Sequence, residues 1–369
     1  IYPFRKRFSG QKDFYFRLGE VCKIHPADNL IETSIGMVRY DYLVIATGTQ
    51  ANFYGMEDIQ KHAVPLKRIE DAIQLRNKII RNFEAALLTD DPVVKNSLID
   101  FVIVGGGPTG VEVAGALAEL KRHVFPQDYP ELDLMEMDID LVEAGPRLLA
   151  GMSEEAGLKS QKFLETLGVK VHLNALVKSF DGYKVTLGTG KEIISQTLVW
   201  AAGVTGAPIP GLPEETRGRA NRIKVDDYNR VVGFDNIFAI GDIALMESES
   251  YPKGHPQVAQ PAIQQGKLLA HNLKKILQNQ SLKPFKYKDK GSMATIGRNK
   301  AVVDIGQFRS QGFLAWFLWM FVHLMALVGF RNRILVFINW VWSYFSYDKS
   351  NRLIIDPKVP EALSEKETA

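Results

Sequence analysis

Phe101-Val-Ile-Val-Gly105-Gly-Gly107-Pro-Thr-Gly110-Val-Glu112 reads as a buried strand, a glycine-rich turn and the opening of a helix. Gly105 permits the tight turn, Gly107 lets phosphates approach the backbone, and Gly110 lets helix and strand pack closely. The helix N-terminus then faces the negative charge of a pyrophosphate. An acidic residue, Glu143, ends the next predicted strand, Ile139-Asp-Leu-Val-Glu143. A carboxylate there accepts hydrogen bonds from ribose hydroxyls and repels a 2′-phosphate, which favours NADH over NADPH. Arg147 works against that preference, because a nearby arginine accepts such a phosphate. The gap to Glu143 exceeds the usual ~20 residues, as a long helix and the loop around Pro126–Pro130 would explain. A solvated strand-end glutamate would look the same in sequence.

The position of this stretch matters as much as its content. It begins a hundred residues in, and another strand, Tyr42-Leu-Val-Ile-Ala-Thr-Gly48, precedes it. A dinucleotide fold starting mid-chain implies insertion into a second fold. Short apolar or alternating runs predict strands at Phe14–Leu18, Leu30–Thr33 and Tyr42–Ala46. Near-helical spacing of Ile69, Ala72, Ile73, Leu75 and Ile79 predicts a helix over 68–88. Further helices are expected at Thr109–Phe125, at Glu154–Leu167 ending on Gly168, and at Ala262–Leu277. Strands are expected at Val169–Leu173, Tyr183–Leu187, Thr197–Ala201, Ile237–Asp242 and Ala301–Ile305.

Composition sets outer bounds. Across 369 residues, 46% are hydrophobic and 24% charged, which suits two domains and a tail. A net charge of +3 is too small to argue for nucleic acid. One cysteine, Cys22, rules out an internal disulfide framework and a cysteine-rich metal site. Ile1-Tyr-Pro-Phe is neither an initiator methionine nor a signal peptide, so the chain reads as starting mid-domain.

Four motifs in order, Ala46-Thr47-Gly48, the loop at 105–112, Ala201-Ala202-Gly203 and Ile240-Gly241-Asp242, resemble the flavoprotein pyridine-nucleotide oxidoreductases. That resemblance implies an α/β fold of two Rossmann-like domains, the NADH domain inserted in the FAD domain. It implies that Asp242 bonds the FAD ribitol and that Thr47 and Gly48 lie against the FAD. The family's first glycine-rich loop, which holds the FAD pyrophosphate, would then precede residue 1.

Within that superfamily the chain is similar to the type II NADH dehydrogenases. Ala259-Gln260-Pro-Ala-Ile-Gln264-Gln265-Gly266 resembles a segment that lies beside the flavin and the quinone. Gln260 and Gln264 are one helical turn apart and share a face. An amide bonds a quinone carbonyl without adding charge. By the same resemblance Glu112 lies near the nicotinamide and the flavin ring, where burial would raise its pKa for proton relay. An ordinary first-turn glutamate is the competing reading.

The tail differs in kind. Phe313–Phe330 contains one ionisable group, His323; Arg331-Asn-Arg333 and a second apolar run, Ile334–Phe345, follow. Eighteen apolar residues meet the lower limit for a span, but the second run is shorter and basic residues divide the two. Trp316, Trp319, Trp340 and Trp342 suit a membrane interface, and Arg331 and Arg333 suit lipid headgroups. Amphipathic helices lying in one leaflet are the expectation, with His323 as a core histidine.

The expected domains are 1–98, first part of the FAD domain; 99–205, the NADH domain; 206–307, the second FAD part with the quinone segment; and 308–369, the membrane-anchoring region. The resemblance implies hydride transfer from NADH to FAD and two electrons onward to a membrane quinone, without proton pumping. It implies a lipid surface and the quinone pool as partners, with a homodimer as an option. The cytoplasmic face of a bacterial inner membrane is the expected location, and the mitochondrial inner membrane is an alternative. A disulfide reductase-like enzyme and a nucleotide-sensing relative with little turnover stay open. No cysteine falls within 99–203, which argues against a redox pair in the nucleotide domain.

Overall fold

Residues 101–104 form the middle strand of a five-stranded parallel sheet. The structure is a computed structural model that describes residues 3–346 and 354–355. The strands that matter for the site are, in chain order, β1 (Leu43–Ile45), β2 (Thr49–Ala51), β3 (Val64–Pro65), β4 (Phe101–Val104), β5 (Ile139–Val142) and β6 (Lys170–His172). They continue with β7 (Thr197–Trp200), β8 (Val204–Gly206), β9 (Ile237–Ala239), β10 (Ser292–Thr295), β11 (Ala301–Ile305) and β12 (Phe308–Gln311). The helices are α1 (Ile69–Ala86), α2 (Pro108–His123), α3 (Glu154–Thr166), α4 (Ala259–Leu277), α5 (Phe313–Ala326) and α6 (Phe330–Ser346).

Contacts divide the chain into two compact units, Ile1–Asn52 with Val204–Lys290, and Phe53–Gly203 with Gly291–Ala369. The second unit holds the parallel sheet, in the order β3-β7-β4-β5-β6. Every residue of β4, β5 and β7 is buried, which is why these strands read as continuous apolar runs. From β4 the chain steps outward through β5 and β6, then returns with β7 on the other side of β4. Sheets of this kind take ligands at the carboxyl ends of the strands where the order reverses. That reversal lies between β4 and β7, so topology alone selects the loops after Val104 and Trp200.

The opposite end of the sheet carries ionisable groups. Asp140 is 3% exposed and bonds His172 at 2.5 Å; Lys170 pairs with Asp138. Burial pushes the Asp100 carboxyl up to about 7, although it accepts the Asp138 N–H at 2.6 Å.

The first unit is built on β1 paired in parallel with β9, and β2 paired antiparallel with β8. Ile24, Ile45, Ile223, Ile237 and Ile243 form its core. Helix α4 packs on the turn Gly241–Ile243 that follows β9.

Several expectations shift. Phe14–Leu18 is not a strand; Phe14 and Phe16 stack instead on Phe8 and Phe4, with centroids at 4.2 and 5.9 Å. The compact unit around the sheet starts at Phe53 rather than 99, because Val64 pairs with Val199 and α1 buries Leu75, Ile79 and Phe83. Residues 204–206 go to the other unit through their pairing with β2. From Gly291 the chain rejoins the sheet unit: Asp304 accepts the Ser153 N–H at 2.7 Å, and a Cβ on Gly115 would meet the Ile296 carbonyl carbon at 2.9 Å.

The tail forms two separate helices. A turn at Gly329 (φ +86°) divides α5 from α6, and Arg333 caps α5 by donating to the Leu327 carbonyl at 2.8 Å. Among the described residues no helix is long and apolar enough to cross a membrane. Ala315 is buried against Ala301 and Val303, while Phe313, Phe317, Phe321 and Met325 of α5 are exposed one turn apart. Ile334, Ile338, Val341 and Phe345 repeat that pattern on α6. His323 is exposed, stacked on Trp319 at 4.2 Å, so the core position expected for it does not hold. Its ring finds an aromatic neighbour and the Trp319 carbonyl within its own helix, so it needs no buried partner.

Two outcomes are expected. A Cβ on Gly110 would sit 1.8 Å from the Gly105 carbonyl oxygen. Gly110→Ala should therefore cost at least about 3 kcal/mol, seen as a lower melting temperature with loss of nucleotide binding. Asp100 binds its proton more tightly folded than unfolded, where its pKa is about 3.9. Between that value and about 7 the folded state holds the extra proton, so this residue's contribution to stability falls as pH rises. Asp100→Asn, which keeps the acceptor oxygen, should flatten the fall in melting temperature across that window; an unchanged slope contradicts the assignment.

Candidate functional site

The glycine loop emerges from β4 between β7 and β5. Gly105 takes φ +111°, and a Cβ there would lie 2.7 Å from the Ala201 carbonyl oxygen. Gly107, the residue before α2, has open space where a Cβ would point. Pro108 at the first helical position has no N–H to satisfy, and no side chain caps this helix N-terminus. Backbone donors and a helix dipole thus meet beside open space, the chemistry an anionic pyrophosphate needs.

Glu143 is tied to this loop. One carboxylate oxygen accepts the Gly106 N–H at 2.5 Å and the other accepts the Gly145 N–H at 2.6 Å. Each oxygen keeps a second lone pair for a ribose hydroxyl. Arg147 turns to its own loop, donating to the carbonyls of Ala150, Met152 and Ser153 at 2.9, 3.1 and 3.1 Å. Those bonds hold its guanidinium on its own loop rather than on Glu143. After β7, Ala202 and Gly203 complete the rim; Gly203 takes φ +84°, and its missing Cβ would meet the Tyr54 hydroxyl at 2.0 Å.

Helix α2 carries Glu112 away from the loop. Its carboxylate accepts the Thr295 N–H at 3.3 Å. Burial raises its pKa, and that hydrogen bond offsets the rise only in part.

The other unit gathers the remaining residues. Thr47 is exposed at the end of β1, and Gly48 takes φ +70° facing open space. At the end of β9, Asp242 accepts from the Thr49 hydroxyl at 3.3 Å. Gly241, at φ +74°, donates its N–H to Gln265 at 2.7 Å. Gln265 is 1% exposed and was not singled out from the sequence. Its neighbours in the glutamine-rich segment disguised it, although it is the buried one.

Gln260 and Gln264 do share a face of α4, and one strap holds both. The Lys288 N–H donates to the Gln264 oxygen at 3.0 Å, and Gln264 Nε2 returns a bond to the Lys288 carbonyl at 2.9 Å. Gln260 accepts from the Lys290 N–H at 3.0 Å and from the Tyr287 hydroxyl at 3.4 Å. Burial pushes the Tyr287 phenol up to about 12, so it stays a donor. Sequence alone carried no signal for Tyr287, which lies two dozen residues downstream on an irregular segment.

Comparison with known proteins places the chain in a family. The chain matches the family described as pyridine nucleotide-disulphide oxidoreductase over residues 8–266, and the NDH2 C-terminal domain over 290–346. It is 34% identical to the type II NADH:quinone oxidoreductase Ndh of Mycobacterium tuberculosis, covering 96% of this chain and 78% of that one. The type II NADH:quinone oxidoreductase NdhA of the same organism is also 34% identical, over 90% of this chain and 73% of its own. The solved NDH2 of Plasmodium falciparum in complex with NADH superposes with a TM-score of 0.85 at 22% identity, over 95% of this chain and 88% of that one, a likeness of fold.

Replacing Glu143 tests the nucleotide site. Glu143→Ala removes the ribose acceptor and leaves two loop N–H groups without their partner. NADH affinity should fall about ten-fold or more, and discrimination against NADPH should narrow, both read by calorimetric titration. An unchanged preference removes Glu143 from this role.

Proposed function

The chain belongs to the type II NADH:quinone oxidoreductases, and on that premise we propose how its residues divide the work. It is an NADH:quinone oxidoreductase of the non-pumping kind, with FAD as its resident cofactor, and it associates with a membrane. Bound FAD supplies the redox chemistry, a hydride equivalent in and two electrons out to the quinone.

The NADH pyrophosphate is assigned to Gly105, Gly107 and Gly110 at the N-terminus of α2, and its adenosine ribose to Glu143. Ala202 and Gly203 let the nucleotide approach the backbone. Asp242, with Gly241, Thr47 and Gly48, holds the ribityl part of FAD. The fit is supported by the open space at Gly48 and by the two contacts that fix the Gly241-Asp242 turn. Gln260 is the amide beside the quinone carbonyl. Gln264 contributes by clamping the strap at 288, which with Tyr287 sets how Gln260 presents its amide. Glu112 supplies protons.

That last group carries the reading. A half-buried carboxyl, held by the Thr295 N–H and with its pKa raised by burial, sits on the same helix that follows the nucleotide loop, which supports a proton-donor role for it. The match of residues 290–346 to the NDH2 C-terminal domain supports this reading over a disulfide reductase. For the tail we propose that α5 and α6 lie in the headgroup boundary of one leaflet, their exposed apolar rows inward and Arg331 at the phosphates. The cytoplasmic face of a bacterial inner membrane and a homodimer belong to the same proposal.

FAD-loaded protein on vesicles should oxidise NADH only as fast as it reduces a quinone analogue. NADH oxidation without quinol formation would falsify the assignment. Glu112→Gln should slow quinone reduction about a hundred-fold with NADH affinity unchanged. Phe317→Asp with Ile338→Asp, both exposed positions, should release the protein from vesicles in a flotation assay; retention on the membrane would rule out these rows as the anchor.

A further inference from the structure

Glu112 does not stand alone on its helix. Ala116, Glu119 and His123 follow it at four, seven and eleven residues, so all four share one face of α2. They line one wall of a cavity of about 250 Å³. The turn after β10 supplies Thr295, Gly297 and Arg298 to a second wall. Helices α5 and α6 supply Trp316, Trp319, Met320, Trp340, Ser343 and Tyr344, none of them charged. The charged and titratable groups facing the cavity are therefore Glu112, Glu119, His123 and Arg298, with the phenol of Tyr344.

The His123 side chain is 33% exposed and that of Glu119 is 16% exposed, and their charged atoms lie 3.8 Å apart. Glu112 lies two helical turns further along, a rise of about 10 Å from Glu119. That is too far for direct transfer and suits a short water chain. The cavity has room for several waters at about 30 Å³ each. It also offers them partners: the indole N–H of Trp319 is buried and has no protein hydrogen-bond partner among the described residues. Arg298 keeps the cavity open, donating to the carbonyls of Ser343 and Tyr344 at 2.9 and 2.8 Å and so pinning the end of α6 to the turn.

The reaction needs such a route. NADH, a proton and a quinone give NAD⁺ and a quinol. The hydride from NADH supplies two electrons and one proton; the second proton must come from water in each turnover. We propose that this cavity is the proton inlet: His123 and Glu119 collect protons at its mouth, and water inside carries them to Glu112. The proposal rests on the assignment of Glu112 made above. Burial, which keeps Glu112 protonated at higher pH than an exposed glutamate, suits it to hold a proton between turnovers.

The test uses FAD-loaded, full-chain protein and its Glu119→Gln/His123→Gln variant. Two acceptors separate electrons from protons: a quinone analogue, and ferricyanide, which takes electrons without protons. Quinone turnover should fall about ten-fold, more steeply as pH rises, and added imidazole should restore it. Ferricyanide turnover should match wild type. A high-resolution crystal structure should show ordered water joining Glu112, Glu119 and the Trp319 indole. Quinone turnover equal to wild type across the pH range overturns the inlet, as does a cavity filled by an acyl chain. Failure of wild-type protein to reduce quinone would instead sink the functional reading, and the crystal structure then decides the inlet by itself.

Discussion

The nucleotide-binding half depends on one backbone contact, the approach of α2 to the end of β4 at Gly110 and the Gly105 carbonyl. No side chain fits between them. Because the helix starts so close to the strand, its free N–H groups point into the space above the sheet, where the chain order reverses. The same contact sets the direction of α2 for its remaining turns. Glu112, Ala116, Glu119 and His123 therefore inherit their positions from two glycines. One helix thus carries both the glycine loop and the ionisable groups that line the cavity.

Polar groups in both units are held by backbone partners rather than by other charges. Glu143 accepts two loop N–H groups, Gln265 accepts the N–H of Gly241, and Gln260 and Gln264 bond the strap at 288–290. Backbone atoms move little once a sheet is packed, so side chains anchored to them are preorganised. A neutral amide anchored this way presents hydrogen-bonding atoms without adding a charge. Arg147 is held on its own loop by the same means, both of its terminal nitrogens donating to backbone carbonyls.

Much of this was legible along the chain because it follows from local rules. The apolar runs of β4, β5 and β7, the φ-demanding glycines and the helix at 69–86 have local causes, and the strands and helices fall close to where the pattern puts them. Phe14–Leu18 misled because its alternation is satisfied by stacking between aromatic rings, and no neighbouring strand pairs with it. Tyr287 and the strap were illegible, since an extended segment without periodicity gives no sign of which helix it will cross. The division at Phe53 and Gly291 depends on long-range pairing, which composition does not encode.

The resemblance implied the second, flavin-binding fold; by itself, the sequence determined a nucleotide-binding fold set mid-chain and the apolar character of the tail. Each depends on residue type at a fixed spacing, and spacing survives without a third dimension. Only the tertiary structure decided that Gln264 clamps a strap, that His323 lies at the surface, and that Glu119 and His123 open toward the cavity of Glu112. Those facts depend on which segments meet, and the meeting is set by burial of the whole core.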